Sequence, residues 1–258
     1  MNIVSQKGRT SVVYRTQQGL VCKSPQPGGS ERFRTDVANQ FAVEKQLLER
    51  LGNHPWIVKY YGPSTIKGME EGLLLGEANC GDLQSYIDRY NSEIDNNLRR
   101  EWCLQLTEAI DYLHKNGIIH SNISTTNVLI HQIGKTKNLL LADFGGSKCK
   151  DLGLNGHMLP DDPFFDPHIT DFTSPKVDIY SLGIMIYIIS TGHYPFHEGP
   201  PPQGKEREAY EDFVHEQFRQ NKFPDLSNML FRDIISGCCC ERRFETAEEV
   251  VIALKAVP

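Results

Sequence analysis

Apolar residues change their spacing about a third of the way along this chain. Before residue 80 they fall in short runs, Val12-Val13-Tyr14, Leu20-Val21-Cys22, Ile57-Val58 and Leu73-Leu74-Leu75. Such runs are the habit of strands. Gln17-Gln18-Gly19 separates the first two and predicts a hairpin. Strands are expected over Ile57 to Tyr61 and Leu73 to Leu75, and Pro25 to Ser30 reads as a loop. One stretch breaks the rule: Phe41, Leu47, Leu48 and Leu51 recur at helical spacing. Beyond Asp82 the helical period takes over. Trp102, Leu106, Ile110 and Leu113 form an amphipathic stripe that stops at Lys115-Asn116-Gly117. Short strands are expected at Val128 to Ile130 and Leu139 to Leu141, around a turn at Ile133-Gly134-Lys135. Val177 to Ser190 is apolar on most faces and suits the middle of a helical layer. His197 to Gly204, with three consecutive prolines, reads as a surface loop, and two further helices are expected to close the chain at Thr246 to Ala256. The pattern predicts an α+β chain: a strand-rich small lobe with one helix, residues 1–76, and a larger, mainly helical lobe, residues 77–258.

Composition narrows the classes. With 258 residues and 39% apolar content the chain can bury a large core. A net charge of −6 supplies no bulk attraction to nucleic acid or to an anionic membrane. The run Ile184 to Ile189 is far short of the roughly 20 apolar residues that span a bilayer. Met1 to Lys7 has no apolar region of signal-peptide length, so a cytoplasmic protein is expected. Seven cysteines without C-x-x-C spacing read as reduced, packed thiols, and Cys238 to Cys240, beside Ile234 and Ile235, as core.

Two places carry chemistry. Glu44 lies three residues after Phe41 and four before Leu48, on the apolar face of its helix. A carboxylate there is costly without a cation, and Lys23, at the end of an apolar strand, is the partner the pattern offers. The other is His120-Ser121-Asn122-Ile123-Ser124-Thr125-Thr126-Asn127, followed by apolar Val128-Leu129-Ile130.

That second stretch resembles the protein-kinase catalytic loop, H-R-D-x-x-x-x-N, with Asn122 where the aspartate belongs. Other landmarks follow in order. Val21-Cys22-Lys23 is similar to the V-A-I-K strand, and Glu44 falls where that family's helix glutamate pairs with the lysine. His54-Pro55-Trp56-Ile57-Val58-Lys59-Tyr60-Tyr61-Gly62 is similar to H-P-N-I-V-x-x-x-G, and Asp143-Phe144-Gly145 to D-F-G. Asp178-Ile179-Tyr180-Ser181-Leu182-Gly183 resembles the opening of the family's central helix; Phe223 to Leu226 and Thr246 to Val250 resemble later landmarks. A small-molecule kinase of the aminoglycoside-phosphotransferase type shares the H-x-D loop, but accounts for neither the His54 segment nor the Asp178 helix.

The resemblance implies a bilobal protein-kinase fold that binds ATP and Mg2+ and acts on, or binds, another protein. Asn127 and Asp143 would hold the metal. Gly8, Ser11, Val13, Lys23, Glu44, Leu75, Glu77, Ala78 and Leu129 would bind the nucleotide. Asp178 would brace the catalytic loop, and His120 would pack rather than act as a base.

The departures concern transfer. An amide at Asn122 cannot accept a hydroxyl proton as a carboxylate does. Ser124 replaces a lysine that many Ser/Thr kinases use at the transferring phosphoryl group. Of the three glycines of G-x-G-x-x-G only Gly8 remains, the other places being Gln6 and Ser11. The family's A-P-E corresponds to Asp166-Pro167-His168, which lacks the glutamate that ties down the activation segment. Ser121 stands where many kinases place a phosphate-binding arginine, and Ser147 is the single hydroxyl residue between Gly145 and Pro167. The expectation is therefore a member of the family with impaired phosphoryl transfer, the alternatives being a non-catalytic binding module or a Ser/Thr kinase inactivated at Asn122.

Overall fold

The computed structural model describes residues 2–5, 10–66 and 71–257. The small lobe is one antiparallel five-stranded sheet in the order β1-β2-β3-β5-β4. Its strands are β1 (Asn2–Ser5), β2 (Ser11–Gln17), β3 (Leu20–Pro25), β4 (Tyr60–Thr65) and β5 (Glu71–Gly76). The expected hairpin joins β2 to β3 and turns at residues 18–19, where Gly19 takes a positive φ of 77°.

Helix α1 (Glu31–Leu51) crosses this sheet. It begins where the Ser30 hydroxyl accepts from the Phe33 amide, and it stops at Gly52, which adopts a φ of 62°. Its buried face carries Val37, Phe41, Leu47, Leu48 and Leu51, and Glu44 lies among them. Truncating one such leucine to alanine typically costs about 2–5 kcal/mol.

One strand differs from expectation. Ile57 to Lys59 is not a strand: Ile57 makes an isolated bridge to Leu141, and β4 starts at Tyr60. The Ile57-Val58 side chains are instead buried where the two lobes meet, with the Val58 amide donating to the Leu141 carbonyl at 2.9 Å. Burial explains the apolar run without a ladder.

The large lobe holds α2 (Leu83–Tyr90), α3 (Asn96–Lys115), α4 (Lys176–Thr191), α5 (Lys205–Arg219), α6 (Arg232–Cys239) and α7 (Ala247–Ala256). Three helices, not two, follow the proline loop; α6 spans only eight residues and is short enough for its period to be missed. Asp82 caps α2 and Asp95 caps α3 through their side-chain oxygens. Buried on nearly every face, α4 is the centre of the lobe. It meets α6 across Gly183, where a Cβ would lie 2.5 Å from both Cys238 Cβ and Cys239 Sγ. Cys238 and Cys239 are therefore core residues as expected, while Cys240 is exposed. The hairpin β7 (Val128–Ile133) and β8 (Thr136–Leu141) lies on the lobe's upper edge, and β6 (Ile118–Ile119), β9 (Lys148–Cys149) and β10 (Leu154–Asn155) form a small second sheet. Among the described residues, no helix is long and apolar enough to cross a membrane.

Candidate active site

Lys23 sits on β3, opposite Val13 on one side and Leu73 on the other, so sheet pairing fixes its direction. Its ammonium bridges two carboxylates: Glu44 Oε2 at 2.6 Å and Asp143 Oδ1 at 2.9 Å. Side-chain exposure is 9% for Lys23 and 1% for Glu44, against 42% for Asp143. The pair on α1 is therefore sealed, and Asp143 opens to solvent. Burial alone would drive Lys23 to lose its proton, but Asp143 and Glu44 outweigh it and raise its pKa. Burial pushes the Glu44 carboxyl up, with Lys23 pulling against it. For Asp143 burial also pushes upward, yet the ammonium wins and holds the carboxyl below its ordinary value. Asp143 adopts φ 64° and ψ 74°, a left-handed conformation that aspartate tolerates better than most residues. Phe144 behind it is fully buried against the His120 ring.

The loop from His120 to Asn127 is held from below by α4. Both oxygens of buried Asp178 accept backbone amides, His120 at 2.7 Å and Ser121 at 2.9 Å, and His114 Nε2 is 3.0 Å from the same carboxylate. Ser121, with φ 63°, keeps a conformation unusual for a residue other than glycine. His120 is fully buried, its Nε2 is 3.1 Å from the Ala142 carbonyl, and burial lowers its pKa. Asn127 Nδ2 donates to the Asn122 carbonyl at 2.9 Å, tying the two ends of the loop together. The Ser124 hydroxyl is 3.0 Å from that of Thr126.

The linker between lobes is gripped from both sides. Glu77 accepts from Arg15 Nε of β2 at 2.9 Å. Asn79 donates to the Gln132 carbonyl at 3.0 Å and accepts its amide at 2.8 Å. Between them, the Ala78 amide has no hydrogen-bond partner among the described residues.

These parts enclose a cleft of about 530 Å³. Ser11, Val13, Lys23, Glu44, Leu75, Glu77, Ala78, Asn127, Leu129 and Asp143 all line it. Gly8 lies outside the described residues, and so does Gln6. Asn122 and Ser124 stand on the loop but do not line the cleft. Sequence reasoning missed Asp82, Ser85 and Arg89, which the period of α2 places on one face of that helix, and Arg207 of α5. An N-cap aspartate before a helical run was the available signal for Asp82. Arg207 joins the cleft through tertiary packing alone.

The model of the family described as "Protein kinase domain" matches residues 9–250. This chain belongs to the protein kinase family. It is 27% identical over 255 residues to the serine/threonine/tyrosine-protein kinase HT1 of Arabidopsis thaliana, covering 86% of this chain and 62% of that protein. It is 31% identical over 181 residues to the serine/threonine-protein kinase PKH2 of Saccharomyces cerevisiae, covering 64% and 16%. It is 28% identical over 170 residues to the serine/threonine-protein kinase kin-29 of Caenorhabditis briggsae, covering 63% and 20%. The chain thus spans about a fifth of the length of the last two kinases.

The glutamate is absent from Asp166-Pro167-His168, and Asp166 itself takes a bidentate pair from Arg242 Nε and Nη2, at 2.9 and 3.0 Å. The pair joins Pro167's neighbour to the turn that follows α6. Ser121 is buried, Lys148 donates to the Phe172 carbonyl at 2.9 Å, and the buried Ser147 hydroxyl donates to the His120 carbonyl at 3.0 Å.

Proposed function

We propose that the chain binds ATP with Mg2+ in this cleft and, with Asn122 in the catalytic loop, transfers the γ-phosphoryl group to protein hydroxyls slowly. The observation that carries the reading is Lys23, held at 2.6 and 2.9 Å between Glu44 and Asp143 with its ammonium at the cleft wall. Val13, Val21, Leu75 and Leu129 supply an apolar end suited to a base, and the Ala78 amide supplies a donor at the linker. Lys23 would meet phosphate oxygens with charge-assisted hydrogen bonds.

The oxygen donors fit a hard cation. Asp143 is held deprotonated, and Asn127, whose Nδ2 is committed to Asn122, keeps Oδ1 for a ligand. Two protein oxygens suit magnesium, which is normally completed by phosphates and water. A bound Mg2+ would neutralise charge on the phosphates.

At the transfer end the Asn122 amide can orient an acceptor hydroxyl but cannot take its proton, and Ser124 offers no charge to the phosphoryl group. Loss of a positioned base costs about 10² to 10⁴ in rate. Because phosphoryl transfer rests on positioning and charge stabilisation, a residual rate is expected. Calorimetry with ATP and magnesium tests binding, and radiolabelled transfer by the parent and Asn122→Asp proteins tests the chemistry. Absence of any heat or thermal shift at millimolar nucleotide would overturn the reading and leave a non-catalytic binding module.

A further inference from the structure

The segment from Gly145 to Pro167 is fastened at several points, and Ser147 is the single hydroxyl residue in it. At its start, β10 pairs with β9, and the Asn155 carbonyl accepts from Asn39 of α1 at 2.9 Å. Gly156 then lies on Gly145 and Gly146 so closely that a Cβ would be 1.9 Å from the Gly145 oxygen. Next come two aspartates that reach one helix. Asp161 pairs with Arg207 at 3.2 Å and Asp162 with His215 at 3.1 Å, both on α5. Phe164, between these and Asp166, is buried against Tyr194, and its carbonyl accepts the Ser181 hydroxyl at 2.8 Å. Phe165 stacks on the same His215, with ring centroids 6.1 Å apart.

A phosphate added to a loop orders it by giving nearby cations a charge to hold. Here Arg207 of α5 is already held by Asp161, and His215 of the same helix is in hydrogen-bond contact with Asp162, both carboxyl groups encoded in the chain. We propose that Asp161 and Asp162 strap this segment to α5 permanently, so that the surface on which an acceptor chain would lie is assembled in the unmodified protein. Arg207 both lines the cleft and holds Asp161, which puts the strap at the cleft mouth. What the surface serves rests on the reading under Proposed function; the fastening does not.

Hydrogen exchange on the full, unphosphorylated chain tests the strap. Residues 156–166 should exchange slowly in the parent, and about tenfold faster in an Asp161→Asn/Asp162→Asn protein, because both neutral variants keep the shape and lose the charge. Exchange in α4 should not change. Should the double variant fail to fold, His215→Gln removes the Asp162 pair from the helix side, and faster exchange in the same peptide is expected. Three results would overturn the strap: rapid exchange of 156–166 in the parent, unchanged exchange in these variants, or phosphate found on Ser147 in the ordered protein. Loss of nucleotide binding in the parent, with the segment still protected, would strike the functional reading and leave the strap standing.

Discussion

The cleft and the loop beside it are built to different standards. In the cleft, charges are paired at bonding distance: Lys23 with Glu44 and Asp143, Arg15 with Glu77. At the transfer end the scaffold is equally firm, with Asp178 holding the loop and Asn127 closing it, but the groups on that scaffold are neutral. Asn122 and Ser124 carry no charge where the family uses a carboxylate and often a cation. The contrast teaches that positioning and chemistry are separable in this fold. The loop keeps its geometry through backbone bonds to a buried aspartate, whatever side chain stands at position 122.

The largest effect should come from restoring that side chain. Asn122→Asp is expected to raise phosphoryl transfer by about 10² to 10⁴, with nucleotide affinity nearly unchanged, because Asn122 does not line the cleft. Radiolabelled transfer to a generic Ser/Thr substrate measures it. If the variant stays inert, the transfer end is deficient at more than one position, and the contrast becomes one between a binding site and no catalytic site.

Lys23→Met attacks the other end. Losing an ammonium that would hold phosphate oxygens should weaken nucleotide binding by about ten- to a hundredfold in calorimetry. It also strands Glu44, whose carboxyl burial already pushes up; without Lys23 it should rise further. A raised carboxyl favours the folded state while protonated, so the variant should lose stability as pH rises through Glu44's folded pKa, above the ordinary carboxylate range. The melting-temperature gap from the parent should widen with pH. A constant gap would show that Glu44 does not depend on Lys23.

Asp166→Asn tests the tie to Arg242 on the large lobe. Arg242 is partly exposed, so the expected loss is about 1–3 kcal/mol rather than the full cost of a stranded buried charge. Chemical denaturation measures it, and a midpoint equal to the parent's would make the pair incidental.

Much of this was legible in the chain, and for identifiable reasons. The period of Phe41, Leu47 and Leu48 showed α1, and a carboxylate on its apolar face demanded Lys23. The residues that line the cleft from β2, β3, β5 and β7 followed from the motifs. What failed had physical causes. Ile57 and Val58 are apolar because the lobes bury them, not because they pair in a sheet. Arg207, Asp161 and His215 converge only through the docking of α5, and no local spacing records that. Asp166 reaches Arg242, 76 residues on, and no local motif register anticipates that pair.

The smallest effect is the most informative about Ser124. In an Asn122→Asp background, Ser124→Lys should raise transfer by a further factor of about ten, since one cation near developing phosphoryl charge contributes less than a base and its orientation together. The hydroxyl now at this place is occupied with Thr126 at 3.0 Å, so replacing it breaks one partly exposed bond and leaves the ties at Asp178 and Asn127 intact. The added lysine should change kcat and leave the affinity for nucleotide alone, because Ser124 does not line the cleft. Steady-state kinetics separates the two. A gain confined to nucleotide KM would mean that the ammonium reaches ground-state phosphates instead of the transferring group, and Ser124 would then belong with the nucleotide end of the cleft.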